Sequence, residues 1–94
     1  MKTLTFNDGT TVHGYGIEEG NNLYVYIHGK TLEETSSILN NPDMTCRMVS
    51  SFPTGEVEHV GFIVAKNITE EDELFISATM SKERNEEETD NDDG

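Results

Sequence analysis

The segment from Gly29 to Thr45, GKTLEETSSILNNPDMT, constrains the fold more than any other stretch, because it holds one short helix between two strand-like regions. Thr31 suits the N-cap, and Glu34 three residues on can return a hydrogen bond to the Thr31 backbone N–H, the reciprocal arrangement of a capping box. Glu33 and Glu34 also face the positive end of the helix dipole. Leu32, Thr35, Ile38 and Leu39 recur at the spacing of one helical face, and the helix is expected to dock through Leu32, Ile38 and Leu39. Asn40 and Asn41 end it, and Pro42 blocks continuation. A helix of about two to three turns does not persist alone in water. It needs a sheet to lie on.

The flanking residues supply one. Lys2 to Phe6 alternates in the manner of a strand, Asn7-Asp8-Gly9 is a turn signal, and Thr11 to Glu18 reads as the second strand of a hairpin. Gly14 and Gly16 fall on one face of that strand, the mark of a bend or of close packing against its backbone. After the turn at Gly20-Asn21-Asn22, Leu23 to His28 sends Leu23, Val25 and Ile27 one way and Tyr24, Tyr26 and His28 the other. Beyond the helix, Thr45 to Phe52 alternates again. Glu56 to Lys66 is apolar on both faces from Val60 to Val64 and is predicted to be the central strand, with Gly61 marking a bulge. Asn67 to Asp72 reads as an acidic connection. Glu73 to Met80 gives a last strand with Leu74, Ile76, Ala78 and Met80 on one face.

These elements predict an α+β fold in the order βββαβββ: a small curved antiparallel sheet or partly open barrel of about six strands, with one short helix plugging one side or end. Residues 1–80 form the compact domain. Residues 81–94, SKERNEEETDNDDG, contain no apolar residue and are expected to be a disordered acidic tail.

Charge is the extreme property of the chain. Six Lys and Arg stand against 19 Asp and Glu, a formal net charge of −13. Residues 1–80 hold 12 acids and 4 bases, so −8 of that total belongs to the domain itself. A surface of this sign repels nucleic acid and anionic membrane and steers basic proteins towards it. No run approaches the roughly 18 apolar residues of a membrane span, and the N-terminus lacks a signal-peptide stretch. Cytoplasmic residence in a host cell is the expectation, with the virion as the alternative.

The helix and loop just described, preceded by LTFNDGT and followed by GFIVAKNI and a last strand, resembles a set of small proteins encoded in tail-gene regions of phages and prophages of gut Firmicutes. In those proteins a "tLEEa..iL.nPe.T" helix and loop separates two β segments, and a "y.GF..l..I" strand follows. The matching positions are Leu32, Glu33, Glu34, Ile38, Leu39, Asn41, Pro42, Asp43 and Thr45, then Gly61, Phe62 and Ile68. The resemblance covers roughly residues 1–80 and carries over no catalytic residue. The acidic tail is not part of its pattern.

No phosphate loop, nucleophile elbow, paired-cysteine motif or HExxH is present in the sequence. The single Cys46 reads as a buried, inert thiol in a strand-like run. His13, His28 and His59 fall on separate strands, where surface or hydrogen-bonded roles outweigh metal ligation. Neither a metal nor another cofactor is expected. What remains is a non-enzymatic binding protein. Carboxylates along turns and strand edges can stand in for phosphates before the Lys and Arg of a nucleic-acid-binding host protein, as in anti-CRISPR proteins that mimic nucleic acid. The candidate partner-binding residues are Glu18, Glu19, Glu56, Glu58, Glu70, Glu71 and Asp72, with Tyr24 and Tyr26 as an outward aromatic pair. The alternative is a phage tail or virion accessory protein that forms homo-oligomers through the tyrosine face and an open strand edge.

Overall fold

The computed structural model describes residues 2–82. Seven strands and two short helices follow one another as β1 (Thr3–Thr5), β2 (Thr11–Glu19), β3 (Asn22–His28), α1 (Leu32–Leu39), α2 (Pro42–Thr45), β4 (Arg47–Phe52), β5 (Gly55–Val60), β6 (Phe62–Asp72) and β7 (Phe75–Lys82). All strands belong to one open antiparallel sheet in the order β5-β4-β1-β2-β3-β7-β6. The α+β class stands, but the predicted six strands and single helix do not.

Two differences share one cause. The stretch read as a continuous central strand, Glu56 to Lys66, breaks at Gly61 (φ 88°) into β5 and β6, which lie at opposite edges of the sheet. Left-handed φ costs glycine little, so Gly61 can take this corner while its N–H donates to the Cys46 carbonyl at 2.9 Å. Val60 and Phe62 are only two residues apart, so the sheet must coil round until its two edges come close. The apolar character of residues 60–64 reflects that corner rather than a central position: Phe62 is buried and Val60 is exposed. The second difference is that Asn67 to Asp72, read as a connection, continues β6. Its register against β7 shifts three times, and Asn67 takes a left-handed conformation (φ 54°). Such bulges, together with Glu70 and Glu71, are how a long edge strand avoids pairing with another chain.

The helix obeys its local signals. Glu34 N–H donates to Thr31 Oγ1 at 3.1 Å and the Thr31 N–H donates to Glu34 Oε1 at 3.0 Å, so the capping box is complete. Asn41 caps the extra turn α2 through its side-chain oxygen, which accepts from the Asp43 N–H at 3.1 Å. α2 occupies Pro42–Thr45, so the strand read from Thr45 begins only at Arg47. The expected anchor Leu32 is not one: it remains 38% exposed, while Thr35 and Leu39 are buried and Ile38 is half-buried. The face through Thr35, Ile38 and Leu39 lies over the core, where α1 and α2 pack against β6.

One core results. Leu4, Phe6, Val12, Leu23, Val25, Ile27, Leu39, Met48, Phe62, Ala78 and Met80 cluster on the inner face of the sheet, with Ile38, Met44, Ala65 and Ile68 against them. Leu74 is left out of the last strand's apolar face, because it turns with φ 53° and is 43% exposed. Of the bend and the close packing that the spacing of Gly14 and Gly16 left open, both positions show close packing. A Cβ at Gly14 would lie 2.0 Å from the Tyr26 carbonyl oxygen, and one at Gly16 would press on the Leu23 side chain at 2.9 Å. β7 extends through Ser81 and Lys82, and the remainder of the predicted acidic tail lies outside the described residues.

Candidate functional site

Alternation along β2, β3 and β7 places a second set of side chains on the outer face of the sheet. Register fixes their neighbours: His13 pairs with His28 and His28 with Phe75, Tyr15 pairs with Tyr26 and Tyr26 with Ser77, and Ile17 pairs with Tyr24 and Tyr24 with Thr79. Aromatic rings therefore meet across strands. Tyr15 and Tyr26 have centroids 5.2 Å apart, Tyr26 and Phe75 6.4 Å, and His28 stacks on Phe75 at 4.4 Å with 12° between planes. Phe52, at the end of β4, comes within 6.0 Å of Tyr15, and Lys2 Nζ lies 5.0 Å above the Tyr15 ring. Cross-strand aromatic pairs stabilise a sheet. Here they also leave half-buried ring faces open to solvent.

Two grooves flank this aromatic band. The larger, about 490 Å³, runs between β3, β7 and the bulged part of β6, and Tyr24, Tyr26, Phe75, Thr69, Ser77 and Glu71 help to line it. Glu71 is fixed over the groove because the Ser77 hydroxyl donates to its Oε2 at 2.5 Å. A second groove, about 410 Å³, is lined by Lys2, His13, Tyr15, His28 and Pro53.

Of the residues singled out in the sequence, the structure gathers Tyr24, Tyr26 and Glu71 at the larger groove. Glu70 and Asp72 neighbour Glu71 at the end of β6 and are exposed. Glu56 and Glu58 stand on β5, the other edge strand, where Glu56 accepts from the Ser51 hydroxyl at 3.3 Å and Glu58 pairs with Arg47. Glu19 is exposed at the end of β2. Glu18 turns to a different task. Its carboxylate accepts from His59 Nδ1 at 2.7 Å, and His59 Nε2 lies 2.7 Å from Ser50 Oγ, which in turn accepts from the Gly16 N–H at 2.9 Å.

This Glu–His–Ser chain has the hydrogen-bond order of a hydrolase relay. Its setting is different. His59 is 1% exposed and Ser50 0%, so the hydroxyl is packed against Gly16 rather than presented to a substrate. Because a carboxylate only accepts, Nδ1 carries the proton towards Glu18, and Ser50 Oγ shares a hydrogen bond with Nε2 while also meeting the Gly16 N–H and carbonyl. Each polar atom is then satisfied, as burial requires. Ser50 Oγ is thus the partner of the Gly16 N–H.

His13 and His28 are register neighbours on the outer face while His59 is interior, so the three histidines do not converge. Among the described residues no group of three or more His, Cys, Asp or Glu side chains is placed to hold a metal ion. Cys46, expected as a buried thiol in a strand, is instead half-buried at the C-cap of α2, with Sγ 3.7 Å from the Asp43 carbonyl oxygen. Among the described residues no helix is long and apolar enough to cross a membrane.

Sequence reasoning missed Phe75, Tyr15 and Phe52 as parts of the aromatic band, although Tyr15 and Phe75 fall on the strand parity of Tyr26. It also missed the interior Ser50–His59–Glu18 chain, for which only the isolated polar residues within apolar alternation gave a signal. No protein-family model, curated protein or solved structure matches the chain.

Proposed function

We propose that this chain is a non-enzymatic binding protein that captures a basic protein through the outer face of its sheet. The observation that carries this reading is the convergence of Tyr24, Tyr26 and Glu71 on one groove beside Glu70 and Asp72. Aromatic faces beneath a carboxylate rim suit the Lys and Arg side chains of a partner, and the −13 net charge brings such a partner in from a distance. The class of partner we favour is a nucleic-acid-binding host protein, inhibited by occupation of its phosphate-binding surface, in keeping with the resemblance to phage-encoded proteins.

The experiment is affinity capture from host lysate, with and without nuclease, using the full chain and its Tyr26→Ala and Glu70→Lys/Glu71→Lys variants. Capture of a nucleic-acid-binding protein that resists nuclease, weakens steeply with salt and is lost in both variants supports the reading. Screening acts within a Debye length of about 10 Å at 0.1 M salt, so the salt response reports the charged contacts.

The second reading, a virion accessory protein acting as a homo-oligomer, draws on the half-exposed aromatic band and on the two sheet edges, β5 and β6, that have no further strand beside them among the described residues. Glu56 and Glu58 on one edge and the bulges of β6 on the other oppose edge pairing. A salt-insensitive oligomer on sizing that dissociates in Tyr26→Ala would favour this second reading and overturn the first.

A further inference from the structure

Three properties of the larger groove select a narrower ligand than a basic surface in general. The first is flat π surface: the Tyr26 and Phe75 planes lie within 26° of each other, with centroids 6.4 Å apart, and Tyr24 lines the same groove. The second is a positioned carboxylate. Ser77 holds Glu71 Oε2 at 2.5 Å, which orients the group, and Oε1 has no hydrogen-bond partner among the described residues. The third is a polar wall from Thr69 and Asn67, built where β6 slips register against β7 and Asn67 takes a left-handed φ of 54°.

A neutral ligand would use the rings and the wall but not the carboxylate. An ammonium group would use the carboxylate and only weakly the flat surface, since it is a compact, strongly hydrated charge. A guanidinium uses all three. It is planar, stacks on aromatic faces, is more weakly hydrated, and presents several N–H donors in one plane. We propose that the groove between β3, β7 and β6 is an arginine-binding site, in which the side chain of a partner arginine lies along Tyr24 and Tyr26 and donates to Glu71. This assignment rests on reading the groove as the binding surface, and it names the side chain that the groove takes.

The test uses the full chain and three blocked pentapeptides of sequence Gly-X-Gly-X-Gly, with X arginine, lysine or citrulline, followed by NMR titration. Citrulline keeps the planar shape of arginine and removes its charge. The arginine peptide is expected to give saturable shifts at the Tyr24 and Tyr26 rings and the Ser77 amide, with lysine binding several-fold more weakly and citrulline about tenfold or more weakly. Tyr24→Leu and Glu71→Gln should each weaken the arginine peptide by about 3- to 30-fold, while Glu56→Gln on the opposite edge leaves it unchanged. Unaltered thermal unfolding of each variant shows that the sheet is intact. Equal binding of citrulline and arginine overturns the assignment, as do shifts spread over Glu56 and Glu58 as strongly as over the groove. The two levels separate cleanly. Arginine-peptide binding without capture of a nucleic-acid-binding protein removes the partner class and keeps the site, whereas capture that persists in Tyr24→Leu and Glu71→Gln removes the site and keeps the partner class.

Discussion

His59 and Glu18, 41 positions apart in the chain, meet through Nδ1 and a carboxylate oxygen at 2.7 Å, and this contact ties the edge strand β5 to the far end of β2. The imidazole is 1% exposed while the Glu18 side chain is 38% exposed, so the pair reaches from the interior to the solvent. Removing the ring leaves Ser50 and Glu18 without their shared partner and opens space over Gly16. His59→Ala is expected to cost about 2–4 kcal/mol, combining a cavity with the loss of one hydrogen bond to the buried Ser50 hydroxyl. Glu18→Gln retains a hydrogen-bond acceptor at the solvent side and should cost about 1 kcal/mol. Urea unfolding of the two variants checks the order, which reverses if the relay is peripheral to the fold.

The helix offers an internal comparison between two leucines of one stripe. Leu39 is fully buried and Leu32 is 38% exposed. Leu39→Ala should cost about 2–5 kcal/mol, whereas Leu32→Ala should stay within about 1 kcal/mol. In a domain of this size each kcal/mol moves Tm by about 4–8 °C, so the two variants are readily separated by thermal unfolding.

Thr35 and Thr45 carry buried hydroxyls with no hydrogen-bond partner among the described residues. Valine has nearly the same shape without the polar atom. Thr35→Val is therefore expected to be neutral or to stabilise the fold by up to about 1–2 kcal/mol. A loss of more than about 1 kcal/mol in urea unfolding would show that the hydroxyl is engaged after all.

Two carboxyls give the fold an acid limb. The Thr31 N–H, with Lys30 adding to it, lowers Glu34 below the usual carboxylate range, and the Thr10 N–H does the same for Asp8. A depressed folded-state pKa adds stability that is complete above the unfolded-state value and disappears as pH falls through the folded one. Stability followed from pH 6 down to pH 2 should therefore decline below about pH 4.5, and Glu34→Gln should make that decline shallower. A variant that follows the parent curve throughout would show the box to be silent in solution.

What the sequence disclosed and what it hid differ by range. The Thr31/Glu34 box spans three residues, and the alternation of Leu23 to His28 is contained in one strand, so each could be read where it stood. Gly61 could not. A continuous apolar run looks the same whether it crosses the middle of a sheet or turns a corner between its edges, and only pairing with β4 and β7, distant in the chain, decides between the two. Asn67 to Asp72 was hidden for the opposite reason: an edge strand with one side in water has a composition close to that of a loop. At the candidate site, Tyr24 and Tyr26 followed from parity, but their union with Glu71 and Phe75 depends on β7 lying between β3 and β6. That order has no local signature.

Residues 55–72, taken alone, describe a strand, a glycine corner and another strand, the raw material of a hairpin. The protein does not zip it. β5 is committed to β4 and β6 to β7, so Val60-Gly61-Phe62 acts as the clasp of a bracelet, holding two lips together at one end by covalent bonds instead of a ladder. Glu56 and Glu58 line one lip, and Glu70, Glu71 and Asp72 lie towards the free end of the other. Like charge on both discourages them from sealing against each other. The circumference of the sheet is thus set by chain length at Gly61, and any widening of the structure has to pivot there, on the one residue type that can turn that corner without strain.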